Sequence, residues 1–335
     1  MSKQKDFNYG GQAVIEGVMM RGAKHMAVAV RHPDGHVEVH DEPLTAKIYT
    51  SRIGKLPFVR GLALLWDALG LGVRVLMWSA DIALQEEKEN QAQEIKFQGT
   101  VAWGTIATSL TMAIGLFFVA PLFLTGLVDR LLIVHISEGW QLNIASNIVE
   151  GIIRLLFFLA YLLAIGQIED IKRVFAYHGA EHKTIHAYEA GVELMPENVR
   201  PFPLLHPRCG TGFLLIVLVI SIFVFVLLGR PPLLSRVISR ILFVPIIAGI
   251  SYEIIRWSAS HIQNPVVSGL MMPSLMLQKL TTREPDDSML EVAITSLKTV
   301  LVNEGVLAVE EEERADEQRS DDNSYGDASA KPALA

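Results

Sequence analysis

The 335-residue chain has a single cysteine, Cys209, so no internal disulfide can form. That scarcity fits a reducing compartment. The N-terminus, MSKQKDFNYGG, lacks an apolar run, so no cleavable signal peptide is expected and insertion would use an internal span. A basic excess is also missing. The formal net charge is -7, and from Glu310 to Ala335 nine acidic residues face only Arg314, Arg319 and Lys331. The rest of the chain is close to neutral, which leaves no charge for binding nucleic acid. On composition the tail, 309–335, is expected to be a disordered acidic extension. Gly10, Gly11, Gly17 and Gly22 in YGGQAVIEGVMMRGAK lack the G-x-G-x-x-G order, and no long helix pattern follows them. This argues against a nucleotide-binding loop. Strand ends, bulges or a close backbone approach account for these glycines better. The sequence has no internal repeat.

What is abundant is apolar sequence. Half of the residues are hydrophobic and the mean hydropathy is positive, as in a membrane protein with substantial water-facing parts. Residues 97–128 carry no charge, although Pro121 is expected to bend or end that span. Residues 148–168 form a second span, with Glu150 and Arg154 near one end, where they can reach headgroups. Residues 209–229 form a third. Residues 237–259 form a fourth, which contains Glu253 and Arg256. The loop 169–210 holds Lys172, Arg173, Lys183, Arg200 and Arg208, against Arg130 alone in 129–147. The positive-inside rule then places both termini and the 169–210 loop in the cytoplasm.

The expected fold class is mainly α. It is a polytopic membrane helix bundle of about four spans, with a small N-terminal cytoplasmic α+β region. That region, 1–60, should contain a hairpin over 26–40, because two β-rich runs flank the turn signal Pro33-Asp34-Gly35. Residues 61–95 read as an interfacial amphipathic helix and a polar linker. Asp67, Arg74 and Asp81 fall seven apart and make one polar stripe. The membrane region is 97–260, with a histidine-rich loop over 169–208. Surface helices follow over 261–308, one of them opened by a capping box of Ser288 and Glu291.

The stretch YHGAEHKTIHAYEAG, 177–191, carries the chemistry. His178, Glu181 and His182 spell H-x-x-E-H, the order in which inverted zincins use two histidines for zinc and a glutamate as general base. Residues four apart share a helix face, so both imidazoles can converge on one ion. Zinc lowers the pKa of a water it holds to about 7. His186 is a further ligand candidate. It cannot join both others on one ion from a straight helix, since His178 and His186 are about 12 Å apart along the axis. Glu253, His206, Cys209 and Glu16 are candidates for the remaining ligand, with Glu253 preferred for its downstream position. The alternative is a polar, solvated helix. His32, His36 and His40 read as surface histidines, His36 and His40 being too far apart along a strand to share an ion. Cys209 beside Arg208 reads as small packing, and Glu253 and Arg256 as a pair that satisfies itself or marks a site.

GGQAVIEGVMMRG, AYHGAEHKTIHAYE, HPRCGTGF and GISYEIIRW occur here in the order found in the YqhQ family of bacterial membrane proteins, which the chain resembles from about residue 7 to 300. Members are sometimes labelled predicted metal-dependent enzymes, so the resemblance implies a membrane protein with a metal-dependent activity. From the H-x-x-E-H residues the expected function is a hydrolase at the cytoplasmic face of the inner membrane, using a divalent metal such as zinc. Its substrate would be a membrane component or a protein. A non-enzymatic membrane scaffold or regulator is the rival reading, and a transporter the third.

Overall fold

The computed structural model describes residues 9–44, 59–83, 100–132, 139–229 and 231–307. The expected polar linker and acidic tail lie outside the described residues. Four antiparallel strands form a meander in chain order: β1 Gly10–Val14, β2 Gly17–Arg21, β3 His25–Arg31 and β4 Val37–Pro43. The expected hairpin is β3–β4, closed around Gly35 at φ 98°. The glycine-rich segment before it supplies two more strands. Gly17 pairs with Val30, and a Cβ there would strike the Ala29 carbonyl.

Helix α1 (Val59–Ala83) follows the sheet. The first apolar span is built from α2 (Thr100–Ile114), a π turn (Gly115–Val119) and α3 (Ala120–Leu132). Next come α4 (Trp140–Ile165), α5 (Glu169–Ala190), a short α6 (Pro196–Val199) and α7 (Gly210–Leu228). The chain continues as α8 (Leu233–Leu242), α9 (Val244–Ser260), α10 (Pro265–Thr281) and α11 (Asp287–Asn303).

Strand alternation sorts the sheet into two faces. Met19, Met26, Val28 and Val30 pack under Leu71, Val75 and Ile82 of α1. Val18, Met20, Ala27 and Ala29 pack under α5 and α11, with Tyr177, Ile185, Leu290, Leu297 and Leu301 in one cluster. The sheet is thus the middle of three layers. This explains why β2 is buried along nearly its whole length rather than at every second residue. The second half of α1 therefore lies on the sheet, and Arg74 faces out, paired to Glu42 at 2.8 Å. The start of α11 differs from the expected capping box. Asp286, not Ser288, is the cap, accepting from the Met289 N–H at 2.9 Å.

Among the described residues three helices are long and apolar enough to cross a membrane: Gly104–Arg130, Trp140–Ile165 and Gly210–Leu228. A fourth span exists if α8 and α9 count as one, bent by 42°. The expected uninterrupted span at 237–259 is broken at Phe243, beside Pro245, which has no N–H to continue the first helix. The spans expose Phe123, Leu156, Phe223 and Leu227 outward, as lipid-facing helices do.

Two details of the bundle depart from the sequence reading. Pro121 does not end the first span. Lacking an N–H, it leaves the carbonyl four residues back, that of Phe117, without its helical partner. The Arg154 Nε–H donates to that carbonyl at 3.1 Å, inside the π turn. Glu150 and Arg154 do not reach headgroups either. Both are buried, and Glu150 binds Arg154 at 2.8 Å and Arg240 at 3.0 Å. Helix α8 makes this possible. Arg236 and Arg240 face inward, one turn apart, while Leu234, Ile238 and Leu242 face out. Arg154 and Arg240 thus share the Glu150 carboxylate as counter-charge, which the low-dielectric interior demands.

Candidate metal site

Helix α5 follows α4 after a three-residue connection and carries its histidines to the start of α7 and the end of α10. A close approach makes this docking possible. At Gly179 a Cβ would strike the carbonyl of Arg283 and lie 2.9 Å from Leu204. The Arg283 N–H donates to the Phe175 carbonyl at 2.9 Å on the same seam. Gly179 is therefore a packing requirement, not the source of looseness that its helix propensity suggests.

His178 and His182 stand side by side, ring centroids 4.4 Å apart. His178 Nδ1 lies 2.8 Å from the Thr281 carbonyl at the end of α10. His182 Nδ1 meets the Leu204 carbonyl. A carbonyl only accepts, so each Nδ1 carries the proton and each Nε2 presents a lone pair. Metal-binding histidines are oriented in this way by a hydrogen bond at the other nitrogen. Cys209 completes the group. Its Sγ is 3.3 Å from His178 Nε2, and the ligand atoms of His178, His182 and Cys209 all lie within 4.8 Å of one another. Cys209 sits at the N-cap of α7. His182 and Cys209 are buried and His178 is half-buried, so the group opens to one side.

Residues 56–303 match the family described as "Protein of unknown function (DUF1385)". The chain belongs to this family. It is 34% identical over 300 residues to "Uncharacterized protein YqhQ" of Bacillus subtilis (strain 168), over 88% of this chain and 92% of that protein. No solved structure matches the chain. Family membership agrees with the resemblance carried by the four motifs, and three of those motifs meet at the site. GGQAVIEG supplies β1 and its turn, AYHGAEH supplies α5, and HPRCG supplies the cap of α7.

Glu181 faces β1 rather than the histidines' other neighbours. Its Oε1 accepts the Gly11 N–H at 2.9 Å. Gly11 has no room for a side chain, because a Cβ would lie 3.1 Å from the Glu181 carboxyl carbon and closer still to the Met19 carbonyl. Burial pushes the Glu181 carboxyl above the usual carboxylate range, opposed by His178 and by the Gly11 N–H. Glu16, another ligand candidate, is engaged elsewhere. It sits in the β1–β2 turn at φ 53° and binds Arg173 through both oxygens, at 2.6 and 2.5 Å. That clamps the turn onto α5.

Glu253, half-buried on α9, is not among the metal-capable groups of the described residues, whereas Cys209 is. His186 turns the other way, with its Nε2 2.9 Å from the Leu205 carbonyl. Successive carbonyls of the 204–205 segment thus receive successive histidines of α5. His206 follows, buried, with its ring 4.7 Å from His186 and 5.5 Å from His182. Burial first, then the charges of Arg208 and the neighbouring imidazoles, pushes His206 down to about 2. It is a neutral imidazole at physiological pH. On the β3–β4 turn, His32, Asp34 and His36 also come together, the two rings stacked at 4.6 Å, but Asp34 and His36 are exposed.

Sequence reasoning missed Gln278. Its side-chain amide holds both sides of the His206 peptide unit, accepting from His206 N–H at 2.8 Å and donating to His206 O at 2.9 Å. It lies three residues before Thr281, so one face of α10 fixes both the 204–209 segment and His178. The signal was a buried polar residue in an apolar helix, on the same face as Ser274 and Thr281.

Proposed function

We propose that this protein is a metal-dependent hydrolase acting at the cytoplasmic face of the bacterial inner membrane. His178, His182 and Cys209 would hold a divalent ion, with zinc favoured by the nitrogen and sulfur donors. The observation that carries the reading is that a ring nitrogen of His178, a ring nitrogen of His182 and Cys209 Sγ lie within 4.8 Å of one another, with each Nδ1 held by a backbone carbonyl. Three protein ligands with one side open is the arrangement of catalytic rather than structural zinc. When bound, the ion supplies Lewis-acid chemistry and acidifies water.

Glu181 is the proposed general base. It is buried beside His178, its affinity for a proton is raised, and only one oxygen is engaged by Gly11. A base poised nearer neutrality transfers protons efficiently. The group sits where α7 begins and α10 ends, so the substrate is proposed to be a lipid or a membrane-protein segment presented at the interface. Cytoplasmic orientation rests on the positive residues of the 169–210 loop.

A second reading also has an observation behind it. The Glu181–Gly11 bond ties α5 to β1, as a structural metal site or a scaffold would require. Glu181→Gln decides between them in a deletion strain at native expression. The hydrolase reading expects metal content retained and function lost, because removing a general base costs on the order of 10²–10⁴ in rate. Full complementation by Glu181→Gln, with none by His182→Ala, would refute it.

A further inference from the structure

We propose a second, sulfur-free cation site next to the first, formed by His186, Glu189 and His206. The ligand atoms of these three residues lie within 4.8 Å of one another. Two come from the last turns of α5, three apart, and so share a face. The third is brought in from the 204–209 segment by Gln278.

An independent observation points to a missing ligand. His206 is 3% exposed, and its Nε2 is buried without a hydrogen-bond partner. A polar atom left so in a protein interior is costly unless something occupies it. The other ring atom, Nδ1, lies 3.4 Å from the Arg208 N–H. His186 is prepared in the mirror sense to His178 and His182. Its Nε2 donates to Leu205 O, so Nδ1 holds the lone pair. Glu189 is shared: one carboxylate oxygen lies within reach of the two histidines, and its Oε1 pairs with Arg208. Two imidazoles and a carboxylate suit a divalent cation of borderline hardness, zinc, manganese or iron, and make a harder site than one containing Cys209. The site does not depend on the hydrolase reading, although His206 lies between the two groups and would couple them.

Cobalt(II) titration of purified full-length protein in detergent tests this, because cobalt reports its ligands. A thiolate ligand gives an intense near-ultraviolet charge-transfer band, which nitrogen and oxygen ligands do not. Wild type should take up two equivalents, only one of them with the thiolate band. His186→Ala should abolish the band-free equivalent and keep the band. Glu189→Gln, on the exposed end of α5, should do the same or weaken that equivalent by at least about tenfold, the smaller end of what even an outer partner contributes. Cys209→Ser should abolish the band and keep the second equivalent. A band-free equivalent without any thiolate band in wild type would count against the first site and leave this one standing. One equivalent in wild type, carrying the band, would overturn the second site alone. So would a band-free equivalent that survives both His186→Ala and Glu189→Gln.

Discussion

Gly179 shows how one residue decides the site. Helix α5 meets the end of α10 at a distance no side chain allows, and that contact puts the Thr281 carbonyl under His178. Gly179→Ala should therefore destabilise the fold by about 1–3 kcal/mol, as overpacking does. Its higher helix propensity would by itself stabilise the helix. Thermal unfolding in detergent checks the sign, and a stabilised variant would mean the seam is looser than described. Asp286 gives a second prediction at this scale. Burial raises its pKa, but donation from Ser288 and the Met289 N–H, with Arg173 nearby, outweighs that and holds it below the usual carboxylate range. A depressed folded value stabilises above the unfolded pKa, and that stability is lost as pH falls through the folded one. Asp286→Ala should cost about 1 kcal/mol at pH 7. The gap to wild type should close below about pH 4. A gap that persists there would show that the effect is not the charged cap.

At the scale of elements, periodicity and composition were legible and partnerships were not. The spans stood out because an apolar run of about 20 residues has few other uses. The β3–β4 hairpin stood out because of its Pro-Asp-Gly turn. For β1 and β2 only the close approach of the glycines was legible, and their contacts with Glu181 and with β3 were not. The break at Phe243 and the inward face of α8 were hidden too, since Arg240 finds Glu150 only across 90 positions. At the site, His178 and His182 were legible from their spacing of four. Cys209 was one of four candidates for a third ligand, and nothing local distinguishes it. It is placed by the Gln278 amide, the N-cap of α7 and the seam at Gly179. The buried ion group predicts a large effect. Glu150→Ala leaves Arg154 and Arg240 without their shared carboxylate, and breaking a buried pair in this way costs about 3–5 kcal/mol. Unfolding in detergent would reveal it, and a change under about 1 kcal/mol, typical of exposed pairs, would contradict the burial.

At the scale of the molecule, a three-layer domain and a bundle of apolar helices meet at the histidines of α5. If that junction faces the cytoplasm, a cysteine at Glu193 should resist an impermeant thiol reagent in intact cells, whereas one at Trp140, exposed at the start of α4, should react. The reverse pattern would place the site outside. The central claim is that His178, His182 and Cys209 hold a metal. The metal content of purified wild-type protein, set against a His178→Ala, His182→Ala double variant of equal fold, measures it most directly. The account predicts stoichiometric zinc or a similar divalent ion in wild type and loss of that equivalent in the variant. Equal metal content in the two proteins, or none in either after supplementation with zinc, would contradict it.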